Sequence, residues 1–234
     1  SKAMKVLMIV TSHSTLGNSD KKTGLWLEEL ATPFYIFKEQ GASIVISSPL
    51  GGEAPIDPAS VDIQHDSISA FKRDTHLKSQ LAHTKKLSEI DPSEFDILFF
   101  PGGHGPLWDL AENIDTAQII KQFINAHKVI AAVCHGLAVF KNLVINDTHY
   151  LAGKAATGFS NQEEEIAGLQ HIVPFSIQDM LIQNGAEYTS ALPFEAHVVT
   201  DGQLITGQNP ASSALTALNT IKCFYNISNT NNTH

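Results

Sequence analysis

Cysteine, basic side chains and long apolar runs are all scarce in this 234-residue chain. Its two cysteines, Cys134 and Cys223, cannot supply the disulfide framework of a small secreted protein. Fifteen Lys and Arg residues against 24 Asp and Glu residues give a net charge of −9, which argues against nonspecific nucleic-acid binding. No apolar run approaches the ~18 residues of a membrane-spanning helix. We therefore expect an ordinary globular protein with no membrane contact, and the cytoplasm as its default location.

Sequence patterns for metal and nucleotide binding are missing as well. The eleven histidines include no HExxH pair and no Cys/His cluster with zinc-finger spacing, so no metal site is predicted. His65, His76 and His83 lie in a polar stretch and are expected at the surface. The glycine-rich segment Pro101–Gly105 follows the third predicted strand, and its glycine spacing is not that of a dinucleotide-binding loop.

Apolar runs alternate with helix-like segments, which predicts an α/β fold with a mostly parallel sheet and helices on both faces. Strands are predicted at residues 5–12, 43–48, 96–103, 129–133 and 151–157, with a hairpin at 197–207. Helices are predicted at 25–40, 74–87, 107–126, 137–144, 174–185 and 210–224, the last with Asn209 as its N-cap. The carboxyl ends of parallel strands share one edge, so Ser12, Gly102–Gly103 and Cys134 should converge on one site.

Residues 51–92 differ in character, because Pro, Asp, Ser and His are frequent there and apolar residues are sparse. We interpret them as an insertion or cap on a single domain that spans residues 4–225. Residues 226–234, which are rich in Asn, are expected to form a flexible tail.

The segment Lys128–Gly136 carries the strongest chemical signal. A buried strand stops abruptly at Cys134-His135-Gly136 and a helix-like segment follows, which is the arrangement of a nucleophile elbow. The N-terminus of such a helix would favour the thiolate of Cys134, which is its reactive form. His135 can supply a base or an imidazolium partner.

Acidic residues near this edge are candidates for orienting a histidine or moving protons. Glu28 and Glu29 are adjacent on a predicted helix, where successive side chains point about 100° apart, so only one should face the interior. A second acidic cluster comprises Glu163, Glu164 and Glu165, and spacing alone does not choose among them. The backbone amides of the Pro101–Gly105 turn, with that of His135, can bind an oxyanion.

The segments KTGLWLEELATPF, FFPGGHG, AAVCHG, GFSNQEEE and TGQNPASS together resemble the ThiJ/PfpI superfamily, whose fold is that of class I glutamine amidotransferases. The resemblance extends from about Met4 to Phe224. Within the superfamily, TGxWLEE and GFSNxEEE indicate the branch of glutathione-independent glyoxalases III and heat-shock chaperones. The resemblance implies a flavodoxin-like three-layer sandwich.

The resemblance also implies a role for each matching residue. Cys134 would be the nucleophile, with His135 as its partner and Glu164 orienting that histidine. Glu29 would hydrogen-bond the cysteine and move protons. The further site residues are Gly102, Gly103 and His104, with the Gly103 and His135 amides as oxyanion donors, and Trp26. A small-aldehyde pocket walled by Trp26 and the insertion would argue against a peptidase, and an open groove would support one.

The late segment Glu195-Ala196-His197 lacks the His-x-Glu order of true glutamine amidotransferases, so glutamine hydrolysis is not expected. The resemblance instead implies conversion of methylglyoxal or glyoxal to the hydroxy acid through a Cys134 hemithioacetal, without metal, nucleotide or flavin, in a chain that forms homodimers. Protein deglycation is a further activity proposed for the superfamily. Two alternatives stay open: a cysteine peptidase or amidase, and a holdase chaperone or redox sensor in which an accessible thiol of low pKa is oxidised.

Overall fold

A seven-stranded sheet forms the centre of the computed structural model, which describes residues 3–232. The spatial order is β10-β11-β5-β4-β1-β2-β3, and all neighbours run parallel except β10 and β11. The strands are β1 (Lys5–Ile9), β2 (Ser43–Ser48), β3 (Lys85–Lys86), β4 (Ile97–Phe100), β5 (Val129–Val133), β10 (Val198–Asp201) and β11 (Leu204–Gly207). Two further pairs lie outside this sheet, β6 (Val144–Ile145) with β7 (Thr148–His149) and β8 (Ala155–Ala156) with β9 (Glu187–Tyr188).

Eight α-helices surround the sheet within the described part of the chain. They are α1 (Leu27–Glu39), α2 (Asp66–Arg73), α3 (Thr75–Ala82), α4 (Pro106–Asp109), α5 (Ile114–Asn125), α6 (Asn161–Ala167), α7 (Ile177–Gln183) and α8 (Ser213–Asn232). None of these helices combines the length and apolar character that crossing a membrane requires. The predicted flavodoxin-like sandwich is confirmed.

Burial along β5 explains why both faces of the sheet need helices. Successive side chains of a strand point to opposite faces, and all five residues of β5 are buried. Helix α8 packs against β5, β11 and α1, while α5 also packs against β5. The largest fully buried side chains of the core are aromatic: Phe34, Phe37, Phe99, Phe100, Phe123 and Phe140.

The helix predicted at 107–126 is divided in the structure, and the helix predicted at 74–87 is shorter than predicted. The predicted helix at 107–126 is α4 followed by α5, because the Asn113 side chain accepts a hydrogen bond from the Thr116 amide and starts a new helix there. The predicted helix at 74–87 begins after Asp74, which separates α2 from α3 and accepts from the Leu77 amide. Only α3 coincides with the prediction.

The helix predicted at 137–144 is a 3₁₀-helix over Cys134–Phe140. The strand predicted at 151–157 is reduced to β8, which pairs with β9 instead of joining the edge of the main sheet. Asn209 does not cap the last helix with its side chain. A short 3₁₀ turn at Pro210–Ser212 precedes α8, and the side-chain amide of Asn209 donates to Glu163 instead.

Residues 51–92 extend the sheet and the core, which the interpretation as a cap did not foresee. Strand β3 pairs with β2 at the sheet edge, and α2 packs against α1. Ile68, Phe71 and Leu77 belong to the buried core. The expected flexible tail is helical as far as Asn232, since α8 continues through it, and residues 233–234 lie outside the described part.

The order β2-β1-β4-β5 places a topological switch between β1 and β4. From β1 the chain continues to β2 on one side, and it later returns to form β4 on the other side of β1. In such sheets ligands bind beyond the carboxyl ends of the strands at this crevice. The ends of β4 and β5 lead directly to the glycine turn and to Cys134.

Candidate active site

The turn after β5 places Cys134 in a strained backbone conformation. Its φ is +62°, a left-handed value that residues other than glycine seldom adopt. Gly136 comes so close to the end of the neighbouring strand β4 that a Cβ there would collide with the carbonyl oxygen of Phe100. The small residue after the cysteine therefore lets the chain turn sharply, as the nucleophile-elbow pattern predicts.

Cys134, His135 and Glu164 form a continuous hydrogen-bonded array. The Cys134 Sγ lies 3.3 Å from His135 Nδ1, and His135 Nε2 lies 2.6 Å from Glu164 Oε2. Glu165 is exposed, whereas Glu163 is buried and binds other groups. The structure thus places Glu164, and neither neighbour, beside the histidine.

Glu164 binds a second histidine with its other oxygen. His104 Nε2 lies 2.6 Å from Glu164 Oε1, and the rings of His104 and His135 are 4.0 Å apart between centroids. Burial by itself would raise the pKa of Glu164, but the charges and hydrogen bonds of His135 and His104 outweigh it and hold this pKa well below its usual range. Glu164 is therefore an ionised acceptor, and both Nε2 atoms are donors.

Desolvation lowers the pKa of His135, and the nearby His104 lowers it further, while the charge of Glu164 opposes both effects. The neutral form of His135 is thereby favoured. With a proton on Nε2 facing Glu164, Nδ1 is left as an acceptor directed at the Cys134 thiol. This tautomer is the one that takes a proton from sulfur.

Glu29 is fully buried and lies on the other side of the thiol. Its Oε1 accepts a hydrogen bond from the Gly102 amide at 2.9 Å, whereas Oε2 has no hydrogen-bond partner among the described residues. Burial raises the pKa of Glu29 well above its usual range, and the nearby Cys134 thiol acts in the opposite direction. The adjacent Glu28 is only half-buried and lies 3.8 Å from His65, so one of the two glutamates faces the interior, as helical geometry predicts.

The expectation that the elbow by itself favours the Cys134 thiolate is wrong. Burial raises the pKa of the Cys134 thiol, and the negative charge of Glu29 raises it further. The His135 amide acts in the opposite direction but is outweighed. Because two negative charges cannot be held together in a buried site, at least one of Cys134 and Glu29 keeps its proton.

The glycine turn supplies fewer oxyanion donors than predicted. The Gly102 amide donates to Glu29, so it is not available to a substrate. Gly103 and His135, whose amides are also predicted oxyanion donors, line the cavity beside Cys134. Gly103 has a φ of +99°, and a Cβ there would collide with the carbonyl oxygen of Gly24, so this turn requires glycine.

A small cavity of about 170 Å³ opens onto Cys134. It is lined by Trp26, Gly103, His104, Cys134, His135, Phe159, Ala167, Phe194 and Pro210. Trp26 therefore lies at the predicted place, and its buried Nε1 has no hydrogen-bond partner among the described residues. Residues 51–92 do not line the cavity; residues from 159 to 210 take the place predicted for the insertion. Ser12 is also absent from it, because its amide donates to Asp109.

His104, His135 and Glu164 form the one group of ligand-type side chains in residues 3–232 whose donor atoms lie close enough for a metal ion, within 4.8 Å of one another. These atoms already hydrogen-bond each other at 2.6 Å. The arrangement matches a proton relay, and we assign no metal to it.

The cavity residues Phe159, Ala167, Phe194 and Pro210 were not identified from the sequence, and Glu163 was identified only as an alternative to Glu164. Phe159 packs on the His135 ring with centroids 4.4 Å apart, and Phe194 packs on Phe159 at 6.0 Å. Isolated aromatics in loops carry no sequence signal for this role. Glu163 is buried at the start of α6, where Ser160 and Glu163 form a capping box, and the S-x-x-E spacing could have indicated that contact.

Known proteins share sequence with most of this chain. The sequence profile of the DJ-1/PfpI family matches residues 23–222. The chain is 33% identical to Glyoxalase 3 of Candida albicans, covering 94% of this chain and 98% of that protein. It is 32% identical to the glutathione-independent glyoxalase HSP31 of Saccharomyces cerevisiae, with 95% and 98% covered.

Solved structures give the same result for the fold. The Rapid Encystment Protein 24 KDa of Francisella tularensis has a TM-score of 0.92 at 39% identity, over 94% of this chain and 99% of that chain. The crystal structure of glyoxalase III from Candida albicans has a TM-score of 0.88 at 33% identity, over 94% and 97%.

Proposed function

The chain belongs to the DJ-1/PfpI family, and from that premise we propose that it is a glutathione-independent glyoxalase that converts methylglyoxal or glyoxal into the corresponding 2-hydroxy acid. The observation that carries the proposal is the Glu29 carboxyl, which is fully buried beside the Cys134 nucleophile. A hydrolytic triad has no need of this group. Moving hydrogen between adjacent carbons of a 2-oxoaldehyde requires such an acid and base.

In the first step the Cys134 sulfur attacks the aldehyde carbon and forms a C–S bond. The pair reacts in the state in which sulfur is ionised and Glu29 holds the one proton of the pair. The developing oxyanion is stabilised by the amides of Gly103 and His135 and takes the proton of Glu29. The product is a neutral hemithioacetal, and Glu29 is left as a carboxylate.

In the second step that carboxylate removes the hydrogen of the former aldehyde carbon as a proton, which gives an enediolate with its negative charge on the neighbouring oxygen. Glu29 returns the proton to the neighbouring carbon, and the hydroxyl on the first carbon loses its proton to the oxygen on the second. The first carbon has been oxidised to a thioester and the second reduced to an alcohol. The electrons balance within the substrate, so no external redox partner enters.

In the last step water attacks the thioester, and His135 Nδ1 takes a proton from the water. The C–S bond breaks, the hydroxy acid leaves, and His135 passes the proton on Nδ1 to the thiolate, which restores the proton of the Cys134–Glu29 pair. Glu164 keeps the histidine in the tautomer that this step needs, since it accepts from Nε2 at 2.6 Å.

The size of the cavity supports a small substrate. About 170 Å³ lies below the ~300–1,000 Å³ typical of sites for drug-sized ligands, and it suits a two- or three-carbon aldehyde. A peptidase would need a longer groove, and a peroxide sensor a more accessible thiol than Cys134, whose pKa is raised by burial. The glyoxalase proposal therefore fits the cavity better than either alternative.

The test is loss of methylglyoxal and formation of lactate in the absence of glutathione. We expect turnover by the wild-type chain and by Cys223→Ser, a matched change at a buried cysteine remote from the site. Cys134→Ser should lose at least roughly 10³-fold in kcat/KM, as for removal of other catalytic nucleophiles. An inert wild type, or an active Cys134→Ser variant, would overturn the proposal.

We propose that the chain forms a homodimer, as the resemblance implies, and that it acts in the cytoplasm, the default location expected from the sequence. Light scattering of the purified chain measures the oligomeric state directly, and a monomer at working concentration contradicts that part of the proposal.

A further inference from the structure

The first turn of α6 carries two buried carboxylates that point to different partners. Glu164 faces His104 and His135, whereas Glu163 faces a set of donors away from the catalytic array. Glu163 Oε1 accepts from the Ser160 amide and hydroxyl and from Gln208 Nε2 at 2.8–3.0 Å. Its Oε2 accepts from Asn209 Nδ2 and from the Phe194 amide, both at 2.9 Å. The proposed reaction gives Glu163 no role.

These contacts fix the loop of residues 189–197. Gln208 accepts from the Ala191 amide at 2.8 Å and donates to the Ala191 carbonyl, and Asn209 donates to the Glu195 carbonyl at 2.6 Å. Both amide side chains are fully buried and bind Glu163 as well. The position of the loop is thus set by the same helical turn that positions the catalytic histidine.

Phe194, in the middle of this loop, has an unfavourable backbone conformation. Its φ is +61°, a value that is unfavourable for a bulky side chain, and the hydrogen bond from its amide to Glu163 holds it there. The aromatic ring is 43% exposed and also lines the cavity, where it packs on Phe159. One side of the ring therefore faces solvent and the other faces the substrate space.

We propose that Phe194 is a specificity-determining residue that closes the outer wall of the cavity against larger 2-oxoaldehydes, and that Glu163 is the positioning residue that holds it. The inference rests on the proposed function, since it concerns the substrates of the same site. Without the ring the cavity opens to solvent, and an aryl-substituted 2-oxoaldehyde can enter.

The matched set of variants is Phe194→Gly, Phe194→Ala and Leu192→Ala. Gly accepts a positive φ without strain, so Phe194→Gly removes the ring while it preserves the loop. Leu192 is in the same loop and 67% exposed, but it does not line the cavity. Leu192→Ala is therefore the control for changes to the loop surface.

The first readout is the ratio of kcat/KM for phenylglyoxal to that for methylglyoxal. Changes to one pocket wall alter discrimination by roughly 10–200-fold, so Phe194→Gly should raise the ratio at least about tenfold, whereas Leu192→Ala should leave it unchanged. Glu163→Gln should raise the ratio in the same direction, mainly through a lower KM for phenylglyoxal. A purely structural role of Glu163 would lower both activities together without changing the ratio.

The second readout does not depend on turnover. Alkylation of Cys134 by iodoacetamide and by the larger iodoacetanilide is followed by peptide mass spectrometry, at a pH where the wild type reacts. Phe194→Gly should accelerate the larger reagent about tenfold more than the smaller one. If Phe194→Gly shifts the alkylation ratio but the wild-type chain has no glyoxalase activity, Phe194 does close the cavity and the proposed function is refuted. If Phe194→Gly changes neither ratio, the inference is refuted, whether or not methylglyoxal is converted.

Discussion

Replacing Glu29 with Gln removes the proton held by the buried carboxyl and leaves the shape of the side chain nearly unchanged. The Gly102 amide keeps an acceptor, because the amide oxygen of Gln can take the place of Oε1. The variant therefore separates the titration of Glu29 from its packing. We expect it to be inactive and, at neutral pH, more stable relative to the wild type than it is in acid.

The direction of this change in relative stability with pH follows from the raised pKa of Glu29. Above the ordinary carboxyl pKa of 4.5 and up to the raised value, the native protein keeps a proton that the unfolded chain has lost. This contribution to stability is fully present below pH 4.5 and is lost as pH rises through the folded-state pKa. The limiting slope for one proton is about 1.4 kcal/mol per pH unit. Gln does not titrate and has no such slope.

The assay is urea unfolding of both proteins at a series of pH values from about 4.5 to about 8. The other carboxyl groups contribute equally to the free energy of unfolding of both proteins, so their contributions cancel in the difference. The free energy of unfolding of Glu29→Gln, minus that of the wild type, should increase with pH. Glu39→Gln, an exposed site on the same helix, should give a flat difference. Loss of the acid–base group should reduce kcat/KM by about 10²–10⁴-fold.

A flat difference for Glu29→Gln would refute the reasoning, since Glu29 would then titrate alike in the folded and unfolded states. A proton kept by Glu29 would have no basis, and the second step of the proposed mechanism would need another base. Loss of activity together with loss of stability at every pH would likewise point to damaged packing.

Further predictions concern the histidines and the glycine turn. Glu164→Gln removes a charge that raises the pKa of His135, so the acid limb of the kcat/KM profile should move to lower pH as activity falls. His104→Gln removes a charge that lowers the same pKa, so that limb should move to higher pH; shifts in the same direction would contradict this electrostatic account. Glu165→Gln, at the exposed neighbouring position, should leave the profile unchanged. Gly102→Ala places a Cβ 2.5 Å from a buried carboxyl oxygen, and chemical denaturation should show a loss of about 1–3 kcal/mol; an unchanged midpoint would refute the close packing.

Much of the fold could be predicted because its strands are buried on both faces. β2 and β5 have the predicted bounds, since continuous apolar runs bounded by turn residues mark such strands clearly. The hairpin of β10 and β11 was visible from Asp201-Gly202. The break between α4 and α5 was not foreseen, because a side-chain cap at Asn113 outweighs an apolar pattern that continues through it.

In the site, too, some features could be predicted from the sequence and others could not. Residues in short local motifs, such as Cys134 and His135, could be found from the sequence. The thiol pKa could not, because burial and the charge of Glu29 act on Cys134 across about a hundred residues of chain. Phe194 gave no signal, since its contact with the site depends on a loop held by Glu163. Sequence therefore indicates which groups are present, and packing decides how they titrate and what they enclose.

Two carboxyl groups flank one Cys–His pair, and their surroundings move their pKa values in opposite directions. Glu29 is buried with one oxygen unpartnered, which keeps it protonated when the thiol is ionised. Glu164 is also buried, but two histidines compensate its charge and keep it ionised. Such a divergence assigns the roles of acid and base in an active site. We therefore propose that Glu29 gives and takes the substrate proton and that Glu164 orients His135. A reaction that exchanges hydrogen between two carbons needs this asymmetry, and hydrolysis alone does not.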